Sequence, residues 1–264
     1  MKAKLKILLK NVLMMSLGLI LTIQILKATP STQIWIPSTD IQGFKTFHLG
    51  IDNYIRTENI NGVRGAGMYD LGLTAGFLPF SKLQGEIGVD YLSMGDAIYD
   101  KHPIYFNLKI GTGEDSLFKF CPAIAVGAYN VGLQKDLTNY NLMYGLIAKT
   151  LPVIGRISAG YFSGNDKLLL DDNRPNYTGK KANSGLLLSW DRTFTEISDK
   201  LWVAVDYQGG QSFLGGLSFG FSWAFSKNVS VIFGYDMWSN KNVLYNTNNY
   251  NAKSFTTQLD INFP

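Results

Sequence analysis

The sequence predicts an all-β chain, an antiparallel up-and-down transmembrane β-barrel of about 12 strands that follows a cleaved signal peptide. Three observations predict it. Segments of about ten residues alternate apolar with polar side chains, the spacing of strands between two unlike media. The connections between them alternate in length, long and polar against short. Charged side chains keep almost wholly to one parity, while the other parity is nearly continuous hydrocarbon.

The N-terminal stretch carries Lys2, Lys4, Lys6 and Lys10 before an apolar run from Val12 to Leu26, ending near Ala28. A basic region followed by such a run describes a secretory signal peptide. An uncleaved anchor helix is the competing reading, but the run is short for spanning and contains Gln24. The expected division is therefore 1–28 signal peptide, 29–43 periplasmic leader segment and 44–264 barrel. In the leader, Trp35 stands between Ile34 and Ile36, flanked by Pro30 and Pro37. It could enter the lumen as a plug or dock against a periplasmic partner; a short extended leader to the first strand is the expectation.

The alternating segments run over 44–54, 68–78, 83–92, 104–111, 118–129, 140–150, 155–163, 184–191, 200–208, 213–224, 229–238 and 254–263. LPFSK, TGEDSL, LPVI, FTEISD and FSKN are short turns. TENINGVRGAG, SMGDAIYDKHP, NDKLLLDDNRPNYTGKKAN and SNKNVLYNTNNYNAK are long loops. On the first three segments Phe47, Leu49, Ile51, Tyr69, Leu71, Leu73, Ile87, Val89 and Tyr91 share the apolar face. His48, Asp52, Asp70, Glu86 and Asp90 take the other. Lys109, Lys119, Lys149, Arg156, Asp191, Asp206, Asp236 and Asp260 extend that polar set, with Lys119 set against Phe118 and Phe120, and Lys149 against Leu146 and Ala148. A soluble sandwich also alternates. Small residues on the polar face (Gly72, Gly88, Gly145, Gly160) and aromatics near strand ends favour a crowded lumen and a lipid-facing wall.

The chain ends KSFTTQLDINFP. Phe263, Ile261, Leu259 and Phe255 form an alternating apolar set closing on an aromatic. This resembles the C-terminal signal of Gram-negative outer-membrane β-barrel proteins, porins among them, which usually end on the aromatic itself; here Pro264 follows it. The resemblance covers residues 44 to 263. It implies an outer-membrane address, outer-membrane lipid as surroundings, and barrel-assembly machinery that reads the strand ending at Phe263. It implies an architecture and no particular activity.

The candidate lumen-lining set is His48, Asp52, Asp70, Glu86, Asp90, Lys109, Lys119, Lys149, Arg156, Asp206, Asp236 and Asp260. The bases would ring the short-turn mouth, and Asp52, Asp70, Asp206 and Asp236 would lie toward the long loops. Two readings stay open: a transverse field in an open pore, or pairs that close a narrow barrel. The expected function is a passive channel for small hydrophilic solutes. The alternative is a closed barrel that binds partners through its extracellular loops. No catalytic constellation, cofactor or metal site is expected. The chain has 1 Cys and 2 His, and His48 has no Ser partner on the outward wall. His102 beside Asp100, and Asp171 with Asp172, read as solvated loop residues. The net charge of +4 lies partly in the first ten residues and does not imply nucleic acid.

Overall fold

The computed structural model describes residues 31–264, so the signal-peptide reading of 1–28 lies outside the described residues. Twelve strands follow in order: β1 (Phe47–Arg56), β2 (Met68–Gly76), β3 (Gln84–Ser93), β4 (Ile104–Thr112), β5 (Ala123–Gly132), β6 (Asn139–Leu151), β7 (Gly155–Ser163), β8 (Ser184–Thr193), β9 (Leu201–Gln208), β10 (Gly216–Ala224), β11 (Val229–Trp238) and β12 (Ser254–Phe263). Each pairs with its sequence neighbour, and β12 returns antiparallel to β1 from Phe47↔Phe263 to Arg56↔Ser254. Closure removes every sheet edge, which hydrocarbon demands because it cannot hydrogen-bond a free N–H or C=O.

The outer wall explains why alternation is so strict. Leu71, Leu73, Ile87, Val89, Phe106 and Leu108 all stand exposed on adjacent strands. So continuous an apolar surface fits lipid and not water. Its rims differ in chemistry. Tyr69, Tyr91, Tyr161 and Tyr207 stand on the outer face near the long loops. Phe47, Phe77, Phe118, Phe120, Phe225 and Phe263 stand near the short turns, where Phe47 and Phe263 stack across the closing seam at 5.7 Å. A phenol keeps one polar tip at the bilayer edge, and such girdles fix the height of a barrel in its membrane.

Around the β4–β5–β6 wall two sequence expectations fail. The strand expected from 118 begins only at Ala123, because Pro122 offers no N–H to a ladder. Residues 113–122 form a turn in which Cys121 N–H donates to Phe118 O and Asp115 and Phe120 take positive φ. Lys119 is exposed in that turn and does not line the lumen. On β6 the parity is the reverse of the expected one. Tyr140, Leu142, Tyr144, Leu146 and Ala148 point inward, while Met143 and Ile147 point out with Lys149. Both faces of β6 are apolar, so the single charge near its end misassigned the whole strand. Lys149 instead sits at the short-turn rim, 3.2 Å from both Glu114 and Asp115. A bulge contributes to the irregularity of this wall: the β4–β5 register shifts between Phe106 and Leu108, and Asn107 Oδ1 accepts the N–H of Asn130.

The long loops fold over one mouth. Phe213, Leu214, Val243, Tyr245, Met94 and Leu169 join the apolar cluster beneath them. Asparagines tie the loops to one another: Asn246 donates to Met94 O, Asn251 to Phe213 O, and Asn173 exchanges two bonds with Leu244. The buried Arg56 donates to Ala252 O at 2.9 Å and stacks 4.0 Å over Tyr245. Arg174 holds the Asp172 carboxyl below the usual carboxylate range by a bidentate pair. These connections form a lid, not loose excursions.

Candidate functional site: the occupied lumen

The other mouth is closed by the segment before β1. Residues 31–43 were expected to be an extended leader; they lie inside the barrel. The turn is local in origin: Gln33 N–H donates to Ile36 O, Ser38 N–H to Ser31 O, and Thr32 bridges Pro37. The chain then leaves under β2, where Phe44 bridges Gly76. An added Cβ at Gly76 would fall 1.9 Å from Gly43 O, so only glycine admits the crossing. Lys45, at φ 60°, reverses the chain into β1.

Inside, the wall meets this segment with polar groups. The Asp206 carboxylate accepts the backbone N–H groups of Ile34 at 2.7 Å and Trp35 at 2.9 Å. Gln258 donates to Ile34 O at 2.8 Å, and Gln33 donates to Asp191 at 3.0 Å. Glu86 accepts from Gln42 N–H and from the Ser31 hydroxyl. Lys109 donates to the carbonyls of Ser31 and Asp40, and it pairs with Glu86 at 3.0 Å. Arg156 bridges Asp40 and Asp191, each at 2.8 Å. Apolar contacts complete the seat: Ile34 packs with Trp202, Ala204 and Ile232, and Trp35 lies edge-on to Tyr54 and Trp238. The Trp35 indole N–H reaches Leu214 O at 3.0 Å, so the segment also touches the lid.

Between segment and wall remains a cavity of about 170 Å³, lined by Asp52, Asp70 and Asp90 together with Trp35, Tyr54 and Tyr144. Asp52 and Asp70 are direct cross-strand partners, and Asp90 sits opposite Gly72 on the next strand. Asn107 donates to Asp90, whereas Asp70 Oδ1 has no hydrogen-bond partner. Among the described residues none of the three makes an ion pair, so the cavity lining gathers three carboxyl groups with no basic partner.

The remaining expected residues fall as follows. His48 faces inward, 3.5 Å from Asp260 and 3.1 Å from Asn262, within a hydrogen-bonded lumen network. Asp236 is fully buried and accepts from the hydroxyls of Ser218 and Ser254. The structure thus places ten of the twelve candidates inward and removes Lys119 and Lys149. It adds Ser31, Gln33, Asp40, Gln42 and Gln258, whose part depends on contacts far apart in sequence. Among the described residues no group of three or more His, Cys, Asp or Glu is arranged to hold a metal ion.

No family model and no curated protein matches this chain. Among solved structures, the chain is similar to the NanC porin, with 8% identity over 82% of this chain and 99% of that one, at a TM-score of 0.48. It is similar to the KdgM porin at 8% identity, 83% and 98% coverage and a TM-score of 0.48. The translocator domain of autotransporter NalP from Neisseria meningitidis gives 11% identity, 83% and 88% coverage and a TM-score of 0.35. At such scores no functional argument rests on these likenesses; the twelve-stranded closed transmembrane barrel stands on its own strand pairing and outer wall.

Proposed function

We propose that this chain is a porin-like channel of the outer membrane for small hydrophilic solutes, and that the described conformation is its closed state. The termini and short turns lie on the periplasmic side, reached through the signal peptide and through assembly on the C-terminal strand. The observation that carries this reading is the cavity lined by Asp52, Asp70 and Asp90. A barrel serving only as a scaffold gains stability by filling its lumen, since buried unpaired carboxyl groups are costly. Retaining three of them on adjacent strands suits passage of polar, preferentially cationic solutes.

The interlocked lid favours the second reading, a closed barrel whose loops bind a partner. Solute exchange separates the two. Proteoliposomes carrying the full chain should release a trapped small cationic solute faster than an anionic one of equal size. Vesicles as tight as protein-free ones, with the barrel inserted and heat-modifiable on a gel, would assign the function to the loops.

A further inference from the structure

We infer that residues 31–42 are a tethered peptide ligand, held at a built site on the lumen wall, whose departure opens the barrel. The inference rests on the channel reading above and adds what does the closing.

The wall recognises this segment as a peptide. Carboxylates of Asp206 and Glu86 receive backbone N–H groups, and Lys109 and Gln258 donate to backbone carbonyls. These four wall residues are 1 to 4% exposed with the segment seated on them. Their bonds are charge-assisted or lie in a low-dielectric lumen, where such contacts are strong and geometrically exacting.

The segment can also leave without dismantling the barrel. Among the described residues its only bridge to a strand is Phe44↔Gly76, beyond the segment's end, and β1 begins its ladder downstream at Phe47. After departure Lys109 keeps Glu86 and Arg156 keeps Asp191, because both pairs join wall to wall. No base is therefore stranded by release, which removes the usual penalty for breaking a buried pair. Asp206 gives up its two donors, but in an opened lumen water replaces them.

Gly234 supplies a tether for the test. An ideal Cβ there falls 3.0 Å from Ile34 Cγ2, within reach of a disulfide between substituted cysteines. The experiment records the full chain carrying Cys121→Ser, Ile34→Cys and Gly234→Cys in planar bilayers, oxidised and then reduced. The oxidised barrel should stay closed and the reduced one should open. Untethered Asp206→Asn should raise the open fraction roughly tenfold over the parent. Conductance that is the same oxidised and reduced would overturn the inference and leave the channel reading standing. Silence of the parent, the reduced tether variant and Asp206→Asn, all inserted and heat-modifiable, would overturn both.

Discussion

Leu71 and Gly50 stand on neighbouring strands and face opposite media, and that single difference governs what each tolerates. Leu71 is 46% exposed on the outer wall, whereas Gly50 lines the acidic cavity. Arginine at Leu71 or Val89 places a guanidinium in hydrocarbon and should cost about 2–4 kcal/mol near the midplane. At Gly50 a new Cβ meets only His48 Nε2 at 3.6 Å and Asp52 Oδ1 at 3.9 Å, and the cation enters a field of carboxylates. Urea unfolding in lipid vesicles should show a large loss for the outward pair and little for Gly50→Arg. Equal losses would contradict the assignment of walls. Gly72 is a poorer probe of the lumen, since its Cβ would lie 2.7 Å from Asp90 Oδ1.

At the scale of elements, the inserted segment and β6 show where reading a sequence stops. Period-two alternation carries sign only when one face is polar, as in β1, where Phe47, Leu49 and Ile51 oppose His48 and Asp52. On β6, tyrosines and leucines line the lumen beside β5, so both parities look greasy and Lys149 gave the wrong answer. The Ile34–Trp35–Ile36 triplet was visible in the sequence as an apolar island between prolines. Its seat was not, because Asp206 lies 172 residues from Ile34 and no local pattern encodes that contact. Gly76, at the end of β2, is where the segment's backbone crosses close against the wall. Gly76→Ala sets a methyl against Gly43 and Gln42 carbonyls and should cost roughly 1–3 kcal/mol. The strain falls on the segment, so limited proteolysis in micelles should cut within 31–43 while the barrel stays intact. Protection equal to the parent's would show that this crossing does not hold the segment in place.

For the molecule as a whole, closure follows from the same rule as the strands. Twelve neighbour-paired strands, one apolar wall and two aromatic rims were legible from composition and alternation, because lipid imposes them everywhere along the chain. The state of the lumen was not, since an open pore and a plugged one share the same inward parity. Lys109 with Glu86 and Arg156 with Asp191 are paired, so no ring of free bases is present among the described residues; on the proposed channel reading, Asp52, Asp70 and Asp90 set the field once water enters the opened lumen. The reversal potential of the full chain across a salt gradient tests this most directly. Openings should prefer cations, and Asp52→Asn, Asp70→Asn and Asp90→Asn together should abolish most of that preference. The effect should shrink at 1 M salt, where the Debye length is about 3 Å. Anion preference in the parent, or a reversal potential unmoved by the three substitutions, would contradict the account.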